Sequence, residues 1–334
     1  MPTEFLYERI TTGRPNCKGT LAEPNGTPEP RFALQGTVNR MHGLAVVVAD
    51  DGISYPSMQR WYCGKHIQRN AGLSEPATNT VFEQLLMSLH HLAALRAMVA
   101  ANSDLNFVRV AVMTWYYGIY CAASAMIAAQ DGSQQQDHGG TANQWERQFA
   151  ARDLVPKPFG YRLTNLVEKQ AVGELAAFNI DKSYQLSVRP AKRSDADAAC
   201  VAYLSGTRSY RQLQIEEELK LRELPKLGLA NFRSAQARAL RDSRLTGKSL
   251  GFLHQAFRYR GKANYRDALF LTTQANLATL ISGYVLDLEI VLCAFVSIAG
   301  AFCACRLNPT EWQEFIDDLS THLGLVVMPR DVWS

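Results

Sequence analysis

Between residues 268 and 305 the chain carries only two charged side chains, Asp287 and Glu289. Residues 268–286 form an uncharged run of 19, and residues 290–305 one of 16. A stretch of this kind crosses lipid or lies at the centre of a helical core. The first run holds Thr272, Thr273, Gln274, Asn276, Thr279 and Ser282, a polar load that a bilayer core disfavours. The second falls short of the roughly 20 apolar residues that a spanning helix needs. Paired spans would also bring the Asp287 and Glu289 carboxylates to the lipid. Two central helices of a bundle satisfy the same pattern, so the expectation is a mainly α helical bundle with no membrane partner.

Other segments agree. Residues 104–130, "DLNFVRVAVMTWYYGIYCAASAMIAAQ", are apolar nearly all round, with Arg109 the sole charge after the cap. A helix of that composition belongs inside a bundle. Its small residues Gly118, Ala122, Ala123, Ser124 and Ala125 admit a close neighbour. Residues 80–101 place Val81, Leu85, Leu89, Leu92 and Val99 on one stripe, with Thr80 and Glu83 in capping-box spacing. Of His90 and His91 in that helix, one should be exposed and the other packed at an edge. Further helices are predicted in "YRQLQIEEELKLREL", "NFRSAQARALRDSRL", "KSLGFLHQAFRYR" and "NPTEWQEFIDDLSTHLGL".

The N-terminal part reads differently. "LAVVV" is β-branched and "ADDGIS" is a turn signal, so a small β element is predicted at residues 32–55, inside an extension covering 1–75. The helical bundle is expected over 76–330, with 151–230 as an insertion or extra helices.

The cysteines number seven, at irregular spacing, and the opening "MPTEFLYERITTGRP" lacks an apolar signal-peptide core. A reducing cytoplasm is the expected compartment. Cys63 and His66 have a ligand-like gap but no second pair faces them, so no metal is expected. "TGKS" at residues 246–249 resembles the end of a phosphate loop, but Asp242 stands where that motif needs glycine. No cofactor is expected.

The net charge of +4 is modest, but its distribution is not even. Residues 226–266 hold ten Lys and Arg against one acid, Asp242, a local balance of +9; the rest of the chain sums to −5. At about 100° per residue, Arg233, Arg238, Arg241, Arg244 and Lys248 fall within about 140° of one face. Unrelieved like charges repel, which calls for a counter-charge from a phosphate backbone or an acidic protein partner. "RYRGKANYRDALFL" continues the basic region. Gly261 is expected to end one helix, and Asn264 to cap the next. Arg258, Arg260, Lys262 and Arg266 would contact phosphate, and Tyr259 or Tyr265 could stack on a base. His254 and Arg258 are one helical turn apart, a pairing suited to moving a proton and neutralising a phosphate. His138 is a further candidate acid–base residue.

Residues 115–140, "WYYGIYCAASAMIAAQDGSQQQDHGG", together with "RYRGKANYRDALFL" and "TTQANLATLISGYVL", resemble HEPN domains. The aromatic helix, the alanine-rich stretch, the His-Gly and the basic-Ala-polar-Tyr-Asp pattern carry the likeness over residues 104–150 and 245–304. The resemblance implies an all-α homodimer of bacterial defence or toxin–antitoxin systems, whose active members are metal-independent ribonucleases. Those enzymes place an arginine shortly before a histidine on a late helix. Here His254 and Arg258 run in the reverse order, and the forward match, Arg60 to His66, lies in the N-terminal part. The expected function is therefore nucleic-acid binding, RNA before DNA. Docking of an acidic protein and metal-independent ribonuclease activity through His254, Arg258 or His138 are the alternatives.

Overall fold

The computed structural model describes residues 29–264 and 277–334, apart from 179 and 182; at 29–34, 262 and 264 it describes the backbone alone. Its order is α1 (Glu29–Asp50), α2 (Tyr55–Gly64), α3 (Glu75–Ala100), α4 (Asp104–Asp131), α5 (His138–Gln148), α6 (Glu168–Ala176), α7 (Arg193–Arg222), α8 (Ala235–Leu245), α9 (Phe252–Asn264), α10 (Leu277–Leu280), α11 (Tyr284–Arg306), α12 (Pro309–His322) and α13 (Pro329–Val332). The expected mainly α class is what the protein adopts. Among the described residues there is no strand, only an isolated antiparallel bridge between Leu163 and Leu250.

The hub is α11. Val285, Leu288, Val291, Leu292, Phe295, Ile298 and Phe302 are all inaccessible to solvent. It packs against α1, α2, α3 and α4, and α3 and α4 pair along their lengths. Leu292 of α11 lies over Gly118 of α4, where a Cβ would come within 2.7 Å of it, so the small residue is required by the close approach. Two helical stretches, Asp104–Asp131 and Leu277–Arg306, are long and apolar enough to cross a membrane by length and composition; 72% of the apolar window in each is buried inside the bundle. In this fold most of that apolar surface packs against other helices.

The predicted β element at residues 32–55 is not formed. Residues 29–50 are one helix, followed by a turn in which Gly52 has φ 57°. Val38, Met41, Ala45 and Val48 are buried at helical spacing against α7 and α11. Burial of this stripe outweighs the β preference of "LAVVV", a preference of only about 1 kcal/mol per residue at most.

Helix α3 opens at Ser74, with Pro76 in its first turn. Thr80 is not the cap; its hydroxyl donates to the Pro76 carbonyl at 2.9 Å. His90 is exposed and His91 half-buried, stacked on Tyr117. Helix α7 starts at Arg193, well before the predicted helix in that region, and packs along α1. Cys200, Tyr203 and Leu204 of α7 and Val155, Phe159 and Leu163 before it join the same core as α11.

Candidate functional site

The arginine stripe is divided by the fold. Helix α8 spans only Ala235–Leu245, so Arg233 and Lys248 lie off it. Arg241 reaches Glu216 of α7 at 3.5 Å and Asp242 at 2.9 Å, and Arg244 reaches Glu218 at 3.7 Å. Arg238 donates to the Arg233 carbonyl. The expectation that these charges go unrelieved within the chain is corrected: the preceding helix supplies carboxylates across the α7–α8 turn.

His254 and Arg258 face different tasks. His254 Nδ1 accepts from the Gly251 amide at 3.1 Å, and its Nε2 lies 2.9 Å from Asn143 Oδ1. The ring thus ties the start of α9 to α5, with both nitrogens engaged. Burial, which disfavours the charged ring, pushes its pKa down to about 4. Arg258 donates to Thr207 Oγ1 at 3.0 Å and lies over the rings of Tyr203 and Tyr210. Tyr259 is wholly buried and donates to the Thr37 carbonyl, so its ring offers no face to a base. Gly261 does not end a helix; α9 continues to Asn264, and Arg109 Nε caps the Ala263 carbonyl at 3.3 Å. Tyr265 and Arg266 lie outside the described residues, as does the side chain of Lys262. Arg60 and His66 are both exposed, on α2 and in the turn after it.

One histidine and one arginine from the predicted set do meet. Arg260 Nη1 lies 2.7 Å from His138 Nε2, and Tyr116 Oη lies 2.8 Å from His138 Nδ1. Guanidinium only donates. His138 Nε2 must therefore accept, which places the ring proton on Nδ1, donated to Tyr116. Burial, and then the charge of Arg260, hold the His138 pKa below its ordinary value. Burial likewise pushes the Tyr116 hydroxyl well up. His138 is the first residue of α5, where the Asp137 carboxylate caps the Gly140 amide at 2.7 Å.

Aromatic rings wall this pair. The Arg260 guanidinium sits 5.2 Å from the Phe257 ring centroid, 5.5 Å from Tyr116 and 6.0 Å from Tyr117. His138 packs edge-on against Tyr120 and stacks with Phe257. Phe257 is 42% and Tyr117 36% exposed. Arg260 has no carboxylate partner among the described residues. Among the described residues its half-buried cation meets ring faces and an imidazole. Sequence reading missed the roles of Tyr116, Tyr117 and Phe257. The signal was present in "WYYGIY", which sets the buried Tyr116 beside the partly exposed Tyr117 on α4, and in Phe257, three residues before Arg260.

Comparison with known proteins finds no family model, no curated protein and no solved structure that matches this chain.

Proposed function

We propose that this chain is a HEPN-like, RNA-binding protein that grips a single strand at the junction of α4, α5 and α9. Arg260 takes a backbone phosphate, and Tyr117 and Phe257 give platforms for unpaired bases. The observation that carries this reading is the 2.7 Å Arg260–His138 contact inside a partly exposed aromatic wall. An arginine with no carboxylate partner among the described residues suits phosphate, and exposed rings suit bases. A cytoplasmic, homodimeric protein of bacterial defence or a toxin–antitoxin pair is the setting this reading implies. The test is a salt titration of binding to a short single-stranded RNA. Affinity should fall steeply with salt, and Arg260→Ala should flatten the slope by about one unit. Absence of binding at low salt overturns the reading.

The same geometry favours metal-independent cleavage as a second reading. The unprotonated His138 Nε2 could take the proton of a ribose 2′-hydroxyl as its oxygen attacks phosphorus. Arg260 would turn to the phosphate oxygens while the bond to the 5′-oxygen breaks, with a proton returned to that leaving oxygen. Cleavage in EDTA that His138→Ala abolishes supports it; cleavage unchanged in that variant removes His138 from the chemistry.

A further inference from the structure

A second cluster is built from other elements. His42 lies midway along α1, Asp287 in the first turn of α11, and Arg189 just before α7. His42 Nδ1 is 3.1 Å from both oxygens of Asp287, a carboxylate only 6% exposed. Arg189 Nη2 is 3.3 Å from the same Nδ1, and its Nη1 donates to the Ser282 carbonyl at 3.2 Å. Asp104 is occupied nearby, accepting from the Gly283 amide at 2.7 Å.

These contacts cannot all be hydrogen bonds. Carboxylate only accepts and guanidinium only donates, while Nδ1 can do one or the other. The shorter, paired contact assigns the proton to Nδ1, donated to Asp287. Arg189 Nη2 is then a donor beside the imidazole without an acceptor from it. Nε2 is left with a lone pair, and among the described residues no partner meets it. His42 keeps 22% of its side chain exposed.

A tetrahedral oxyanion resolves the mismatch. With a second proton on Nε2, the imidazolium would bridge Asp287 on one side and the anion on the other. Arg189 would direct its spare donor to a second oxygen. Charge-assisted bonds of this kind favour phosphate over smaller halide anions, because two donors need two acceptor oxygens. The buried carboxylate supports the cationic ring from behind, as such partners do for other histidines. We propose that His42 and Arg189, seated on Asp287, form a phosphoryl-binding site separate from the His138–Arg260 junction.

The test uses the full chain, with ¹⁵N-labelled histidine and inorganic phosphate as the probe. His42→Gln identifies the His42 signals. Phosphate should move the His42 Nε2 resonance toward the protonated position and saturate. Chloride at equal ionic strength should do neither. Arg189→Gln should weaken the phosphate response by about tenfold or more, the worth of one charged hydrogen bond. Arg189 is a loop residue, so this variant tests the site without removing a core group. His138→Ala should leave the response intact. A silent His42 signal, an equal response to chloride, an undiminished response in Arg189→Gln, or its loss in His138→Ala each overturns the proposal.

Discussion

Two histidines are held neutral by different means, and their chemistry separates accordingly. In His254 both ring nitrogens serve the fold, and burial holds its pKa at about 4. The unfolded chain returns it to roughly 6.5. The folded value is the lower one, so the native state binds fewer protons across that interval. Its stability is intact above about pH 6.5 and is lost as pH falls toward 4. Urea midpoints measured from neutral pH downward should therefore fall more steeply for the wild type than for His254→Gln; parallel profiles would show that His254 does not set the acid limit. His138 is depressed first by burial and then by Arg260. Arg260→Gln should raise its titration midpoint, visible by NMR, and an unmoved midpoint would separate the two groups electrostatically. Glu146 illustrates a purely structural charge. It is 4% exposed and accepts from Arg162 at 2.5 Å and Ser249 at 2.8 Å. Glu146→Ala strands the half-exposed Arg162 and should cost about 3 kcal/mol in chemical denaturation.

At the scale of elements, close approaches decide the packing. The last tryptophan, Trp333, lies over Gly300 of α11 so closely that a Cβ there would meet the indole. The indole cannot simply swing away, because its Nε1 donates to the Val296 carbonyl at 3.1 Å. Gly300→Ala should cost about 1–3 kcal/mol by overpacking. Trp333→Ala should cost about 3–5 kcal/mol by the cavity it leaves. The double variant should cost much less than the sum, since each change relieves the other; simple additivity would refute the contact. The core helices α3, α4 and α11 were legible because their apolar pattern has no other outlet. Helix α1 was not, since "LAVVV" carries β propensity, while its deciding stripe of Val38, Met41, Ala45 and Val48 becomes visible only when α7 and α11 cover it. The start of α7 was hidden behind "RPAKRSDADA", where proline and charge suggest loop. The counter-charges of the arginine stripe were unreadable for a simpler reason: Arg241 and Glu216 are neighbours only after the α7–α8 turn. Glu216→Gln with Glu218→Gln should change stability by about 1 kcal/mol or less, yet strengthen RNA binding at low salt by unmasking two cations. Unchanged affinity would exclude the α8 face from the interface.

For the whole molecule, the sequence suggested an N-terminal extension, a bundle and an insertion, but contacts cross each of those borders. Met41 and Leu44 from α1, Phe159 before α6, Tyr203 from α7 and Trp312 from α12 share one apolar core with α11. The candidate RNA site depends on this sharing, because His138 and Arg260 are 122 residues apart and meet only when α5 and α9 dock on α4. A core of this kind should unfold as a unit even though the chain exceeds the size at which single transitions are routine. Trp115, Trp145 and Trp333 report from within it, while far-UV circular dichroism reports on every helix. The two signals should give the same urea midpoint, and proteolysis at the loops around residues 151–230 should not release a stable remainder before that midpoint. Two separated transitions, with the helical signal of α6 and α7 lost first, would instead mark 151–230 as an independently folding insertion. In that case the Arg258–Thr207 contact and the α7–α8 ion pairs would dissolve while His138 and Arg260 stayed together, and RNA affinity would survive the first transition. Coincident midpoints with simultaneous loss of RNA binding would tie the site to the integrity of the entire bundle.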